Sequence, residues 1–382
     1  MKLPIRTYHD ALKYIFSKEF TSGVKYSLEH VSRVNQLLGS PDSAYKIIHI
    51  AGTNGKWSVA KMVFSILQQA GHKVGCFTSP HLVDVRERIE TGAWIISKKD
   101  FVRYLNKVLA TKISLSYFEL CVLIAWLYFK DRGCDYVVME VGLGGLLDAT
   151  NIVTPVISCI TNISLDHQDV LWHTAKDISL QKAGIIKQWI PVVLWEKNVV
   201  IEKVARQSKS PIILATQEKS TNLIWAHQKK NAGIAYAICK QLGVSAKNIV
   251  SWLHNVQHPG RLQYLAPNLC IDGAHNIAGL QTLKSYLTTI EKKYQQVVYC
   301  FALKKGKDPS ELILSTFGKN KTYIVVRASS YQLESASVLV KKMQWCDCVV
   351  YTPQQIMYLA KKNPHILYII FWSLYMIGEF IC

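Results

Sequence analysis

A chain of 382 residues with 49% hydrophobic and 19% charged side chains carries enough apolar material for two or three packed cores, which excludes a disordered chain. Forty-five Lys and Arg against 26 Asp and Glu leave a net charge of +19, a balance suited to anionic partners: nucleotides, carboxylates, nucleic acid or acidic lipid. Ten cysteines without a CxxC pair read as reduced thiols used as small apolar side chains, rather than as a zinc site or a disulfide scaffold.

The first twenty residues hold no continuous apolar run and no small-residue cleavage site, so a secretory leader is not expected. Spaced apolar positions over 8–38 (Ala11, Leu12, Tyr14, Ile15, then Val31, Val34, Leu37, Leu38) predict two amphipathic helices. The β-branched run at 46–51 predicts a strand, which feeds through Gly52-Thr53-Asn54-Gly55-Lys56 into helical spacing over 59–70. A glycine loop between strand and helix turns backbone N–H groups toward one anion; the helix dipole and a lysine ammonium add positive charge. The full GxxxxGK[ST] pattern is not met, because Ile50 holds the first glycine position and Trp57 follows the lysine. On this segment alone, nucleotide binding and an ordinary glycine-rich turn both stand.

Further strands are predicted at 73–77, 136–141, 156–163, 190–194 and 212–214, with a buried helix at 118–129. Strands alternating with helices imply an α/β fold, a parallel sheet covered on both faces. The pattern restarts after His258-Pro259-Gly260, with strands at 269–272, 297–303, 322–326 and 366–371 and helices from about 279 and 310. Two domains are therefore expected, 1–257 and a smaller 258–382. Residues 366–382 are almost wholly apolar, but Ser373, Gly378 and Glu379 interrupt them, so a buried strand and a short packed segment are expected there rather than a membrane span.

Ser79, Glu140 and His167 leave three predicted strand ends on the side of the glycine loop, the edge where α/β sheets bind ligands. Each has a local alternative: an N-cap before Pro80, a helix cap, a turn residue. Together they offer oxygen and nitrogen ligands to the magnesium that a nucleotide enzyme needs.

The segments IHIAGTNGK, TSPHLVDVRERI, YFEL, MEVGLGG with LDATN, TNISLDH, QKAGII, HPGR and DGAHN follow in this order. With them the chain resembles folylpolyglutamate synthase/dihydrofolate synthase, a branch of the Mur ligase superfamily, from about residue 8 onward. The resemblance implies a Mur-ligase-like P-loop domain with a parallel-rich sheet, plus a smaller C-terminal Rossmann-like α/β domain. It implies ATP-dependent addition of L-glutamate to dihydropteroate, to a folate, or to both, through an acyl phosphate. Gly52, Thr53, Asn54, Gly55, Lys56 and Ser58 would hold the ATP phosphates, Asn231 the adenine, and Arg261, Asp272 and His275 would add contacts from the C-terminal domain. Two Mg²⁺ ions would sit on Ser79 and Glu140, and on Glu140, His167 and a carbamylated Lys182; Lys56, Lys182 and His167 are the catalytic candidates. Leu147, Asp148 and Ala149 match the pterin side, and Phe118 would line it as a flat ring that stacks on a pterin, with core packing as its alternative. A cytoplasmic monomer without nucleic-acid or membrane partners is the corresponding expectation.

Four positions depart from the family pattern: Trp57, Trp172 and Trp372 stand where it has glycine, and Leu146 where it has arginine. A tryptophan at a position needing positive φ would be strained. A ligase fold that binds nucleotide with little turnover is therefore an alternative. A basic nucleic-acid-binding protein is a second, against which the basic residues are dispersed and no RNP-like or zinc-finger motif occurs.

Overall fold

The computed structural model describes residues 4–18, 27–164, 174–256, 259–274, 276–330 and 333–381. The chain forms two compact units, Met1–Pro80 with Arg86–Gln257, and His81–Val85 with His258–Cys382. A single cut at 257 does not anticipate the short excursion at 81–85. Its cause is close packing: a Cβ on Gly378 would overlap the Leu82 carbonyl oxygen, and one on Gly260 would lie 3.3 Å from the Leu82 side chain.

The first unit is built on β1 (Lys46–Ala51), β2 (Val74–Phe77), β3 (Ile89–Thr91), β4 (Trp94–Ile95), β5 (Tyr136–Glu140), β6 (Ile157–Ile160), β7 (Val192–Leu194) and β8 (Ile212–Leu214). They form one sheet in the order β4-β3-β2-β5-β1-β6-β7-β8. Pairing is parallel from β2 to β8, and β3 and β4 add an antiparallel edge. The helices described here are α1 (Tyr8–Phe16), α2 (Glu29–Leu37), α3 (Lys56–Gln69), α4 (Lys98–Leu109), α5 (Tyr117–Asp131), α6 (Ala175–Ala183), α7 (Val199–Gln207), α8 (Ala226–Gln241) and α9 (Ala246–Trp252).

Strand alternation shows how both faces are covered. Val74 and Cys76 join the core that Val59, Val63 and Leu67 of α3 share with α8. Gly75 between them points the other way, where an added Cβ would stand 2.6 Å from the Phe129 ring of α5. α5 is apolar all round, as a buried helix must be. It starts at a capping box in which Glu119 accepts from the Ser116 N–H and Ser116 from the Glu119 N–H.

The second unit contains β9 (Gln263–Ala266), β10 (Leu269–Asp272), β11 (Gln296–Phe301), β12 (Thr322–Val326), β13 (Cys348–Tyr351) and β14 (Ile366–Phe371). Their order is β13-β12-β11-β14-β10-β9, parallel except for β9. α10 (Ile277–Ile290), α11 (Ser315–Phe317), α12 (Ala336–Lys342), α13 (Pro353–Lys362) and α14 (Leu374–Ile381) accompany them. The apolar stretch at 366–382 is thus a central strand followed by a helix. Among the described residues no helix is long and apolar enough to cross a membrane.

Trp372, between β14 and α14, has φ +90° and is 4% exposed. An L residue in the left-handed region costs about 1–2 kcal/mol, whereas truncating a buried Trp costs about 3–5 kcal/mol. Packing outweighs strain, so Trp372→Gly is expected to destabilise the protein by about 2 kcal/mol and Trp372→Ala by about 4 kcal/mol. Urea midpoints of the two variants check this; equal losses would show that the backbone there is unstrained.

Candidate active site

β2, β5, β1 and β6 are neighbours in the sheet, and their carboxyl ends deliver Ser79, Glu140, the glycine loop and Asn162 in succession. Gly52 and Gly55 have φ +149° and +84°, and Gly55 is the N-cap of α3. The loop is held by the end of β6: Thr53 N–H donates to the Asn162 carbonyl (3.0 Å) and Asn54 N–H to Asn162 Oδ1 (2.8 Å). Thr161 Oγ1 donates to the Asn54 carbonyl (2.6 Å) and Thr53 Oγ1 to the Ser164 carbonyl (3.1 Å). The N–H groups of Thr53 and Asn54 are therefore committed to Asn162. In this structure these two residues shape the loop through their bonds to Asn162. The first turn of α3, capped by Gly55, turns further N–H groups outward, the arrangement that suits an anion.

Two ammonium groups meet at one carbonyl. Lys56 Nζ donates to Gly52 O (3.0 Å) and Thr53 O (3.1 Å), and Lys182 Nζ donates to Gly52 O (2.8 Å). Sharing an acceptor, the charges lie within about 6 Å of each other and repel by about 3 kcal/mol at an effective dielectric of 20. An anion placed there relieves that repulsion. Lys182, in the last turn of α6, is only 7% exposed and so is not a surface lysine.

Glu140 ends β5 with 2% exposure, and the Ser79 N–H donates to its Oε2 at 3.0 Å. Among the described residues no three His, Cys, Asp or Glu side chains gather as a metal cluster. Glu140 and Ser79 are neighbours through the Ser79 N–H bond, and a carboxylate and a hydroxyl are the hard oxygen donors magnesium takes. His167 and His275 lie outside the described residues, as does Trp172.

The segment after β5 lies flat on α6. Leu146 N–H donates to Gln181 O (2.8 Å), and Asn151 Nδ2 donates to the carbonyls of Leu146 (2.9 Å) and Gly184 (3.0 Å). A Cβ on Gly145 would come within 2.5 Å of the Gln181 carbonyl oxygen, which is why the approach needs glycine. Asp148 is turned inward: Oδ2 accepts from Leu143 N–H (2.9 Å), and Oδ1 from Thr150 N–H (3.0 Å) and Thr150 Oγ1 (2.6 Å). Burial raises its pKa, and these hydrogen bonds oppose the shift. Asp148 thus organises the loop. Of the pterin-side candidates, Leu147 is exposed, Ala149 is buried and Phe118 is half-buried, its ring over Gly142 and edge-on to Phe77.

The chain of contacts continues to His49 of β1, whose Nε2 lies 2.8 Å from Thr150 Oγ1. Because the Thr150 hydrogen goes to Asp148, His49 must donate from Nε2. Burial, helped by the charge of Lys187, pushes His49 down to about 3. Unfolded, its pKa is 6.5, so the unfolded chain binds the extra proton between those values. Stability is full above about pH 6.5 and is lost as pH falls toward 3, by up to about 1.4 kcal/mol per unit. His49→Gln keeps a donor and removes the titration, so it is expected to flatten the dependence of the urea midpoint on pH between 6.5 and 4. An undiminished slope would assign that dependence to other groups.

Asn231 of α8 reaches the same loop. A Cβ on Gly55 would stand 2.6 Å from Asn231 Oδ1. Asn231 Nδ2 donates to Gln228 Oε1 (2.9 Å), and Gln228 Nε2 donates to Ser58 Oγ (3.1 Å). Gln228 is absent from the sequence expectation; its three-residue spacing from Asn231, which puts both on one helix face, was the available signal. In the second unit, Asp272 is fully buried and accepts from Leu262 N–H (2.9 Å) and Ala274 N–H (2.8 Å), pinning the turn at Gly260 to β10. Burial raises it to about 6, against the nearby Arg261 charge and both N–H donors.

Residues 50–249 match the Mur ligase middle domain family. The chain is 31% identical over 323 residues to the dihydrofolate synthase/folylpolyglutamate synthase of Bacillus subtilis, covering 72% of this chain and 75% of that one. The chain belongs to the folylpolyglutamate synthase/dihydrofolate synthase family. Among solved structures, the Thermotoga maritima folylpolyglutamate synthase is 30% identical with a TM-score of 0.82, over 98% of this chain and 96% of that one. Escherichia coli FolC in complex with DHPP and ADP is 25% identical with a TM-score of 0.86, over 98% and 97%. Against the pattern of this ligase family, Trp57 is buried in the first turn of α3, Leu146 is 44% exposed, and Trp372 holds the left-handed backbone that a glycine would adopt freely.

Proposed function

We propose that the chain is an ATP-dependent acid–amino-acid ligase that adds L-glutamate to dihydropteroate, to a folate, or to both, in folate biosynthesis and polyglutamylation. The meeting of Lys56 and Lys182 at the Gly52 carbonyl, with Glu140 at the end of the strand beside β1, carries the reading. Lys56 and the first turn of α3 bind the ATP phosphates, and Asn231 takes the adenine. Ser79 and Glu140, with His167, hold magnesium, and Lys182 joins them as a carbamate, its burial beside Gly52 supporting a role at the loop. Magnesium supplies charge neutralisation of the transferring phosphoryl group when bound. Arg261, Asp272 and His275 add nucleotide contacts, Asp272 by fixing the turn that carries Arg261. Leu147, Ala149 and Phe118 line the pterin side, over the loop that Asp148 organises.

In the ligation, the acceptor carboxylate takes the γ-phosphoryl group, giving an acyl phosphate and ADP. The glutamate amine then attacks the carbonyl carbon, and the tetrahedral intermediate expels phosphate. A cytoplasmic monomer is the matching setting; the nine described cysteines are all unbridged, as a reducing compartment would keep them.

The deciding experiment is ADP release by the purified protein with Mg²⁺, given dihydropteroate or tetrahydrofolate, each with and without L-glutamate. Glutamate-dependent ADP release with at least one acceptor is expected. ATP binding without such release would instead mark a ligase fold that has lost turnover. Because Trp57 is buried in the helix that faces the phosphates, Trp57→Gly is expected to raise ATP affinity by about tenfold or less, roughly 1.4 kcal/mol. Fluorescence titration with ATP reads this, and a wild-type chain that binds no ATP beside a tight-binding Trp57→Gly would favour the inactive form.

A further inference from the structure

We propose that Gln228 is a positioning residue that sets base discrimination by fixing which way the Asn231 amide faces, an inference that rests on the reading of Asn231 as the adenine contact. Gln228 is 1% exposed and spans from α8 to α3. Its Nε2 donates to Ser58 Oγ at 3.1 Å, which leaves Oε1 facing Asn231. Only the NH₂ side of an Asn amide can meet that oxygen, and it does so at 2.9 Å. With Gln228 in this orientation, a flipped Asn231 amide would set two buried acceptors against each other. Asn231 Oδ1 is therefore turned to the loop, close over Gly55. From there the amide offers one acceptor and its second N–H as a donor. That pair matches the exocyclic amino group and N7 of adenine. It mismatches a purine with a carbonyl at C6, whose oxygen would face Oδ1.

The same bonds tie Asn231 to Ser58, so base recognition and the first turn of the phosphate-facing helix share one set of hydrogen bonds. Gln228 itself need touch neither the base nor the phosphates.

Dissociation constants for ATP and ITP, together with KM and kcat for ADP release, test the proposal. Gln228→Leu removes both amide functions at similar volume, and Gln228→Met does the same with a more adaptable side chain should the leucine variant not fold. In either, the preference for ATP over ITP is expected to fall by about tenfold, with the loss falling on KM for ATP more than on kcat. Gln228→Glu keeps an acceptor for Asn231 Nδ2 and is expected to keep most of the preference. An unchanged preference in Gln228→Leu or Gln228→Met, beside a loss in Asn231→Ala, would overturn the proposal alone. An unchanged preference in Asn231→Ala would overturn the adenine reading, and the proposal with it.

Discussion

Lys56→Ala is expected to lower turnover by about a hundredfold or more, the scale of losing a charge aimed at a developing phosphoryl anion, while the melting temperature moves little. The geometry separates the two effects. Among the described residues the ammonium bonds only carbonyls of its own loop, Gly52 and Thr53, and Gly52 O keeps its bond from Lys182 when Lys56 is removed. Little of the fold depends on it, whereas the phosphates lose a point charge. Lys56→Arg should recover only part of the activity, because a planar guanidinium does not reproduce a compact ammonium. Rates of ADP release beside thermal melts decide the matter; a Lys56→Ala protein that turns over normally would remove the loop from the mechanism.

Gly52→Ala is expected to cost more than about 2 kcal/mol of stability, the range in which strain at a special backbone conformation combines with overpacking, and to abolish nucleotide binding. φ is +149° and the new Cβ would overlap Thr161 Oγ1, with the Thr161 backbone nitrogen 3.1 Å away. The hydroxyl could rotate; the backbone cannot. Thr161 and Asn162 hold Thr53 and Asn54, so any adjustment displaces the loop and the carbonyl on which Lys56 and Lys182 converge. Gly39 serves as the control, with φ +77° and nothing within 4 Å of an added Cβ. Gly39→Ala should cost only about 1 kcal/mol, the backbone term alone. Urea midpoints and ATP titrations of both variants check the contrast, and equal costs would show that the Thr161 contact is soft.

Much of this was open to sequence reading. β1, β5 and β14 announce themselves as short β-branched runs because they are buried on both faces. The placing of Ser79 and Glu140 at neighbouring strand ends was legible because the strands before them are short and apolar. β3 and β4 were not, being three and two residues long, too short for any period to show. β13, Cys348–Tyr351, is apolar in sequence but only four residues long and half-exposed along its length, so it did not stand out as a buried strand. The place of 81–85 in the second unit depends on a helix almost three hundred residues later, which no local pattern encodes. In the site, DATN cannot say whether its carboxylate faces in or out; the hydroxyl of Thr150 and the imidazole of His49, a hundred residues upstream, decide that. Gln228 looks like any polar residue of a helix until its two partners are seen.

The position of β14 has a consequence for the order in which the protein is made. It lies between β11 and β10, so until residues 366–371 emerge from the ribosome the second sheet is two unjoined pieces, β9 with β10 and β11 with β12 and β13. Each piece presents an open edge, the kind that captures stray strands. About twenty residues separate the end of β13 from the end of β14, one to four seconds of synthesis at roughly 5–20 residues per second. Meanwhile every strand of the first sheet has long been made, and only His81–Val85 must wait for its partners. Slow codons or a stall between 351 and 371 would lengthen the exposure of those edges, and a stop codon before Ile366 would make it permanent, leaving a chain with one complete unit and a second whose sheet cannot close.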